Sequence, residues 1–415
     1  MKTDIFVFID SVENKPSKFI GILSSNQTKG HTVFSFEYDK EFLKTESSFL
    51  LDPEIGWFSG KQYPTNKEIF GIFADSMPDT WGRTLMKRRA IQFQTGKDNK
   101  KTQLFEKDYL LGVFDESRIG ALRYKLDING DFLDNTKSYS TPPWSSIGEL
   151  QHSAKALEDN TDDYNTNWLH ILIAPGSSLG GARPKANILD KNNQIWIAKF
   201  PSNNDVIDKA KWEFLAHKLA IDCGVIMSEC KIEKIGKKHH TFFTKRFDRT
   251  KEGNRVNYAS AMTMTANNEL SLKDNTASYL DIAEFIQFNN SDNTADLHQL
   301  WRRIVFNICV SNTDDHLRNH GFLLKDNYWK LSPAFDINPS VDKLGLSLNI
   351  NSDDNKLDLQ LAKSVGKYFQ LNDTMMGNII EEVNNSVMKW RDIANKLKIS
   401  KSEQELMKSA FLCDF

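Results

Sequence analysis

Between Leu297 and Val310 the apolar residues Leu297, Leu300, Trp301, Ile304, Val305, Ile308 and Cys309 recur at helical spacing. A stripe of that width must bury one face, so this helix belongs to a core, and it should end near Ser311-Asn312. A polar loop follows. Gly321-Phe322-Leu323-Leu324 and Tyr328-Trp329-Lys330-Leu331 then read as two strands joined by a turn at Asp326-Asn327, a tight hairpin that carries the chain back to Ser332-Pro333-Ala334-Phe335-Asp336.

The loop and the hairpin's end carry the residues of chemical interest. Asp314 and Asn319 are spaced D-x-x-x-x-N, and Asp336 lies beyond the hairpin. Phosphoryl transfer asks for such a set: one carboxylate to take the hydroxyl proton, and an amide and a second carboxylate to hold Mg²⁺. The same residue types cap helices and make turns, so the triplet alone is evenly divided between punctuation and chemistry. His316, beside Asp314 and Asp315, keeps metal-dependent hydrolysis open, although no second His stands at metal-site spacing in the segment.

Upstream, Pro175 to Lys185 crowds glycines and serines between an apolar run, Trp168 to Ala174, and a strand-like Ala186-Asn187-Ile188-Leu189. Glycine lets backbone N–H groups approach phosphate oxygens, and Lys185 adds a point charge. The loop fits neither the Walker A nor the Rossmann pattern, and by itself it reads more readily as an ordinary mobile loop. Gln194 to Phe200 alternates like a half-buried strand with Lys199 near its end, and the helix expected from Asp208 to Ala220 holds Glu213, a natural ion partner for such a lysine. A strand lysine followed by a helix glutamate is more commonly a solvated pair. Thr241 to Arg249 reads as a strand running into a polar connector. There Lys245 to Phe247 would bracket an adenine through backbone groups with Asp248 near the ribose, or Arg246, Asp248 and Arg249 form a charged turn.

Taken together, the strings Asp75-Ser76-Met77-Pro78-Asp79-Thr80-Trp81-Gly82-Arg83, Gly120 to Tyr124, Ser177 to Lys185, Trp196 to Ser202, Lys245 to Arg249, Ala259 to Met262, Asn312 to Gly321 and Leu331 to Ser340 resemble the HipA-like serine/threonine kinases, the toxins of HipA/HipB-type toxin-antitoxin modules. The likeness runs from about residue 70 to residue 340. It implies Asp314 as proton acceptor, Asn319 and Asp336 as Mg²⁺ ligands and Lys199 as the phosphate-pairing lysine. It implies an ATP site formed by Gly180, Gly181, Ala182, Arg183, Pro184 and Lys185, by Lys245, Arg246, Phe247 and Asp248, and by His316, Leu317, Arg318, Asn319, Phe335 and Asp336. It further implies autophosphorylation at Ser178 or its neighbour Ser177, a helix-turn-helix antitoxin of the HipB type as partner, contact with DNA only through that antitoxin, and a translation factor, first of all an aminoacyl-tRNA synthetase, as substrate. Lys245 stands where relatives commonly have an acidic residue, and Asp315 replaces a small one.

Composition is compatible with this. A chain of 415 residues, 40% hydrophobic and 26% charged, has room for two or three cored domains, and a net charge of -2 argues against broad nucleic-acid binding by the chain itself. Cys223, Cys230, Cys309 and Cys413 lack metal spacing and suit a reducing compartment. No apolar run reaches membrane-spanning length and the start lacks a signal-peptide core, so a cytoplasmic protein with no membrane contact is expected. Ile5 to Ile9, Phe19 to Leu23 and Thr32 to Phe36 read as strands of a small α/β unit, a helical stretch as running from Phe70 to Phe93, and Thr136 to Pro143 as a linker. From Leu357 the pattern is helical, with Ile379, Ile380, Val383, Val387 and Trp390 on one face.

The expectation is an α+β, bilobal protein-kinase-like fold: an N-terminal subdomain over 1–135, a kinase N-lobe over 145–250 and a helical C-lobe over 251–415. Its activity would be ATP- and Mg²⁺-dependent serine/threonine phosphorylation. A metal-dependent phosphohydrolase using the same carboxylates, and a catalytically silent antitoxin-binding module, are the alternatives.

Overall fold

The computed structural model describes all residues except 1, 13, 29–30, 46–48, 93–102, 137–139, 160–171, 173–182, 275, 290–291 and 413–415. They form two compact units, Met1–Asn204 with Lys234–Ala259, and Asp205–Glu233 with Ser260–Phe415. The segments 1–135 and 145–250 share the first unit apart from residues 205–233, which belong to the second. The fold is α+β, with a small N-terminal α/β subdomain and a largely helical C-terminal lobe.

In the first unit Lys2–Ile9 (β1), Lys18–Thr28 (β2), His31–Tyr38 (β3) and Leu122–Lys125 (β4) make an antiparallel sheet in the order β3-β2-β1-β4. Ile5, Val7 and Ile9 alternate along β1 and are fully buried, as the period of two requires of a strand with one face on a core. The helical stretch expected over residues 70–93 is divided into Gly71–Ala74 and Thr80–Gln92 (α1). Pro78 has no N–H to donate and restricts the residue before it, so the first helix ends and a second starts beyond it.

From α1, Arg83 forks onto Glu106 through two 2.6 Å hydrogen bonds, and the Trp81 indole N–H donates to the Lys185 carbonyl at 2.9 Å. The latter contact ties the N-terminal subdomain to a second sheet, in which Lys185–Leu189 (β5), Ile195–Lys199 (β6) and Thr241–Lys245 (β7) pair antiparallel in that order. Ala186 faces Ala198 and Ile188 faces Trp196 across β5 and β6. With Phe243 these residues form a core against Ile147, Leu150, Ala154 and Leu157 of the helix Ile147–Glu158 (α2). The alternation therefore turns Lys185 and Lys199, themselves opposite one another, to the face away from that core.

In the second unit the expected buried helix spans Thr294–Cys309 (α4), and every apolar residue of its stripe is fully buried. It packs against Asp373–Val387 (α5), which also lies on Lys209–Asp222 (α3). Met376, Ile379, Val383 and Val387 of α5 are buried, whereas Ile380 is half-buried at the edge of the stripe. The Trp390 ring stacks on Phe411 at 4.5 Å and 8°, and Trp212 of α3 lies 6.2 Å from it. Gly321–Lys325 (β8) and Tyr328–Leu331 (β9) form the expected hairpin, with Lys325 opposite Tyr328. Asp326 and Asn327 have φ of 52° and 63°, the doubly positive pair that a two-residue turn needs to match strand twist. Among the described residues no helix is long and apolar enough to cross a membrane.

Candidate functional site

The hydrogen bonds of the second unit explain how a loop of small polar residues is held in one shape. Helix α4 turns Arg303 and Asn307 to the same side, one turn apart, and both are buried. The Asn307 side-chain amide donates to Asp315 Oδ2 at 2.8 Å, while its Oδ1 accepts from Asn312 Nδ2 at 3.1 Å. The Arg303 guanidinium donates to the Ser332 carbonyl at 2.5 Å. One helix thus fastens both the loop carrying Asp314 and the strand leading to Asp336.

The two chemical segments are also fastened to each other. Asn312 Oδ1 accepts from the Asn338 backbone N–H at 3.1 Å, and the Ser340 N–H donates to the Ser311 carbonyl at 3.1 Å. Asn338 Nδ2 in turn donates to Asp336 Oδ1 at 2.9 Å. Asp336 adopts φ 59° and Ser311 φ 50°, left-handed conformations that cost energy in non-glycine residues and that the surrounding bonds sustain.

Asp314 itself points outward, its side chain 79% exposed. Asn319 is buried, and its Nδ2 donates to the Asp314 carbonyl at 3.2 Å. That bond orients the amide, so Oδ1, which accepts nothing among the described residues, is the atom left for a ligand. An amide oxygen and the Asp336 carboxylate are hard oxygen donors that fit Mg²⁺, an ion that keeps several waters and takes the rest of its shell from substrate phosphates. Among the described residues no group of three or more His, Cys, Asp and Glu side chains is arranged to hold a metal ion. His316 is half-buried with its Nδ1 unpartnered, and Leu317 is buried in the short helix Leu317–Asn319. Arg318, Phe335 and Asp336 are half-buried.

Asp315, whose presence the sequence leaves unexplained, is the loop's internal post. Its Oδ2 accepts from the Tyr279 hydroxyl at 2.5 Å, from Asn307 and from His320 Nε2 at 2.8 Å, and the residue is 3% exposed. Burial raises the pKa of this carboxyl, but the His320 imidazole and the Tyr279 hydroxyl outweigh it and hold it below the ordinary carboxylate range. Asp315→Ala should strand those three donors and lower unfolding free energy by roughly 3 kcal/mol, measurable by urea denaturation at pH 7. A loss under about 1 kcal/mol would show that water substitutes for the carboxylate.

In the first unit Lys199 is half-buried with its ammonium 5.5 Å from the Phe242 ring centroid, and Lys185, directly across the strands, is buried. Arg183 donates to the Phe200 carbonyl at 3.3 Å, and Pro184 is buried beside it. Ser177, Ser178, Gly180, Gly181 and Ala182 lie outside the described residues. Glu213 lies on α3 in the second unit and is buried.

The charges of the connector are buried: the Asp248 side chain is 4% exposed and the Arg246 side chain 3%. Asp248 Oδ2 accepts from Arg246 at 2.6 Å, Arg249 at 2.7 Å and the Gly120 N–H at 2.8 Å, and Oδ1 accepts from Arg246 Nε at 2.8 Å. Gly120 has φ 74°, a left-handed conformation that glycine adopts without strain. The guanidiniums of Arg246, Arg249 and Arg255 all reach the Arg118 carbonyl. Lys245 and Phe247 remain half-buried, with the Phe247 ring 5.9 Å from Tyr258.

Comparison with known proteins agrees with this architecture. The HipA-like C-terminal domain matches residues 177–390 and the HipA N-terminal domain residues 15–125. A curated Haemophilus influenzae protein named "Putative kinase" is 27% identical over 214 residues, covering 45% of this chain and 62% of that protein, so the chain spans less than two thirds of that relative's length. A chain of the Shewanella oneidensis MR-1 toxin antitoxin system HipA, HipB and its operator DNA complex has a similar fold, with a TM-score of 0.68 at 15% identity over 98% of this chain and 94% of that one.

Proposed function

Since this chain belongs to the HipA-like toxin-antitoxin kinase family, we propose that it transfers the γ-phosphoryl group of ATP to a serine or threonine hydroxyl of a protein. The observation that carries the reading is the mutual fastening of residues 311–319 and 332–340 on α4, with Asp314 outward, the Asn319 Oδ1 unengaged and Asp336 on the adjoining segment. Asp314 accepts the proton of the acceptor hydroxyl as its oxygen bonds to the γ-phosphorus, and the bond to the β–γ bridging oxygen breaks to release ADP. Asn319 and Asp336 would hold Mg²⁺, which when bound neutralises charge on the phosphate oxygens. Lys199 and Lys185 would supply the positive charge that the family likeness implies for nucleotide phosphates.

The partner we infer is a helix-turn-helix antitoxin of the HipB type, in keeping with the HipA, HipB and operator DNA complex, one chain of which has a fold similar to this one. DNA would be reached through that antitoxin. The proposed substrate class is a translation factor, an aminoacyl-tRNA synthetase first. Phosphorylation of Ser178 or Ser177 would bring nearly two negative charges beside a phosphate-binding loop and repel the nucleotide.

Incubating the purified chain with γ-labelled ATP, Mg²⁺ and cell extract should label protein hydroxyls. Inorganic phosphate without labelled protein would indicate a hydrolase, and intact ATP a silent binding module. Asp336→Asn should weaken binding of Mg·ATP by about tenfold or more, read by calorimetric titration, because a metal ligand is lost. Unchanged affinity would remove Asp336 from the metal site.

A further inference from the structure

We propose that Lys343 is a further catalytic residue, one that delivers positive charge to the phosphoryl group during its transfer; this rests on the phosphotransfer reading above. Its ammonium stands 3.7 Å from Asp314 Oδ1, the only ion pair Asp314 makes among the described residues. The lysine is presented by an arch with both feet on the catalytic loop. On one side the N–H groups of Asn338 and Ser340 bond to Asn312 Oδ1 and the Ser311 carbonyl, each at 3.1 Å. On the other the Ser347 hydroxyl donates to the Thr313 carbonyl at 2.8 Å. Ser340 also accepts from the Asp342 N–H at 3.1 Å, which makes the turn just before Lys343.

Stability does not account for the pair. The two side chains are 55% and 79% exposed, and ion pairs so solvated contribute little to folding. Position accounts for it better. An acceptor hydroxyl must hydrogen-bond to the Asp314 carboxylate while its oxygen stands about 3–3.5 Å from phosphorus, so the oxygens of the moving group come within a few ångströms of that carboxylate. A cation already beside it, on a flexible four-carbon stem, needs only a rotamer change to meet them. Charge on those oxygens is what such a transition state must have neutralised. Because the arch follows Asp336 directly, the charge is in place only when the metal-bearing segment is docked on the loop.

The test uses the full chain with saturating Mg²⁺ and a degenerate Ser/Thr peptide mixture as acceptor, comparing Lys343→Met and Lys343→Arg with the unsubstituted protein. Expected for Lys343→Met are a fall in kcat of about 10- to 100-fold, a KM for ATP within about twofold, and an unaltered thermal midpoint, with Lys343→Arg restoring most of kcat. An unchanged kcat overturns the proposal. So does a raised one, which would make the contact a brake on the base, and so does an equal loss in both variants with a lowered thermal midpoint, which would make it structural. If the unsubstituted chain transfers no phosphate, the phosphotransfer reading fails and this inference with it; if it transfers and Lys343→Met is as fast, only this inference fails.

Discussion

Asp314→Asn should reduce protein phosphorylation by about 10²- to 10⁴-fold, the usual contribution of a positioned general base, while nucleotide affinity and thermal stability stay essentially as they were. The separation of effects follows from where the side chain points. The Asp314 carboxylate faces outward and meets only Lys343 among the described residues, whereas the contact that orients Asn319 is made by the Asp314 backbone carbonyl, which asparagine retains. Asparagine keeps the size of the side chain and removes the proton acceptor. Its neighbour has the opposite signature, since Asp315 is buried and its loss falls on folding. Label incorporation, calorimetric nucleotide titration and a thermal melt on Asp314→Asn together distinguish the two positions. Undiminished transfer would mean that Asp314 is not the base; lost transfer with lost nucleotide binding would make it part of the binding site instead.

Local pattern accounts well for the elements that carry this site. The stripe from Leu297 to Cys309 is a helix with that face buried, and Asp326-Asn327 makes the tight turn its residue types favour. Alternation in Ile195–Lys199 places Trp196 and Ala198 in the core and Lys199 opposite them. What the pattern does not disclose is which polar residues become buried, because that depends on partners far away in the chain. Asp315 meets Tyr279, 36 residues earlier in the chain, and nothing in its own neighbourhood announces that. A partial signal existed in α4. Arg303 and Asn307 lie one turn apart among residues that otherwise bury, and a buried polar group must find a hydrogen-bond partner. Arg246 and Asp248 illustrate the converse, because charged residues after a strand resemble a surface turn unless the loop they dock against is known.

That docking gives the largest effect expected on stability. Asp248→Asn should lower unfolding free energy by about 3–5 kcal/mol at pH 7, the cost of removing one partner from a buried ion pair. Arg246 and Arg249 would be left facing each other with no carboxylate between them, and an amide nitrogen in place of either oxygen would confront donors it cannot satisfy. Burial alone would raise the Asp248 pKa, but the guanidiniums of Arg246 and Arg249 overcome it and hold the carboxyl well below the usual range. The unfolded chain, with an Asp pKa of about 3.9, therefore binds the proton more readily than the folded one. It follows that the Asp248 contribution is complete above the unfolded value and is lost as pH falls through it toward the folded value. Urea denaturation from pH 7 to pH 3 should show the unsubstituted protein losing stability below about pH 4 more steeply than Asp248→Asn, so that the two curves converge in acid. Parallel curves, or a loss under about 1 kcal/mol at pH 7, would mean that the backbone carbonyls of Glu116, Ser117, Arg118 and Gly120 satisfy the arginines, and that the connector is held by backbone oxygens rather than by this carboxylate.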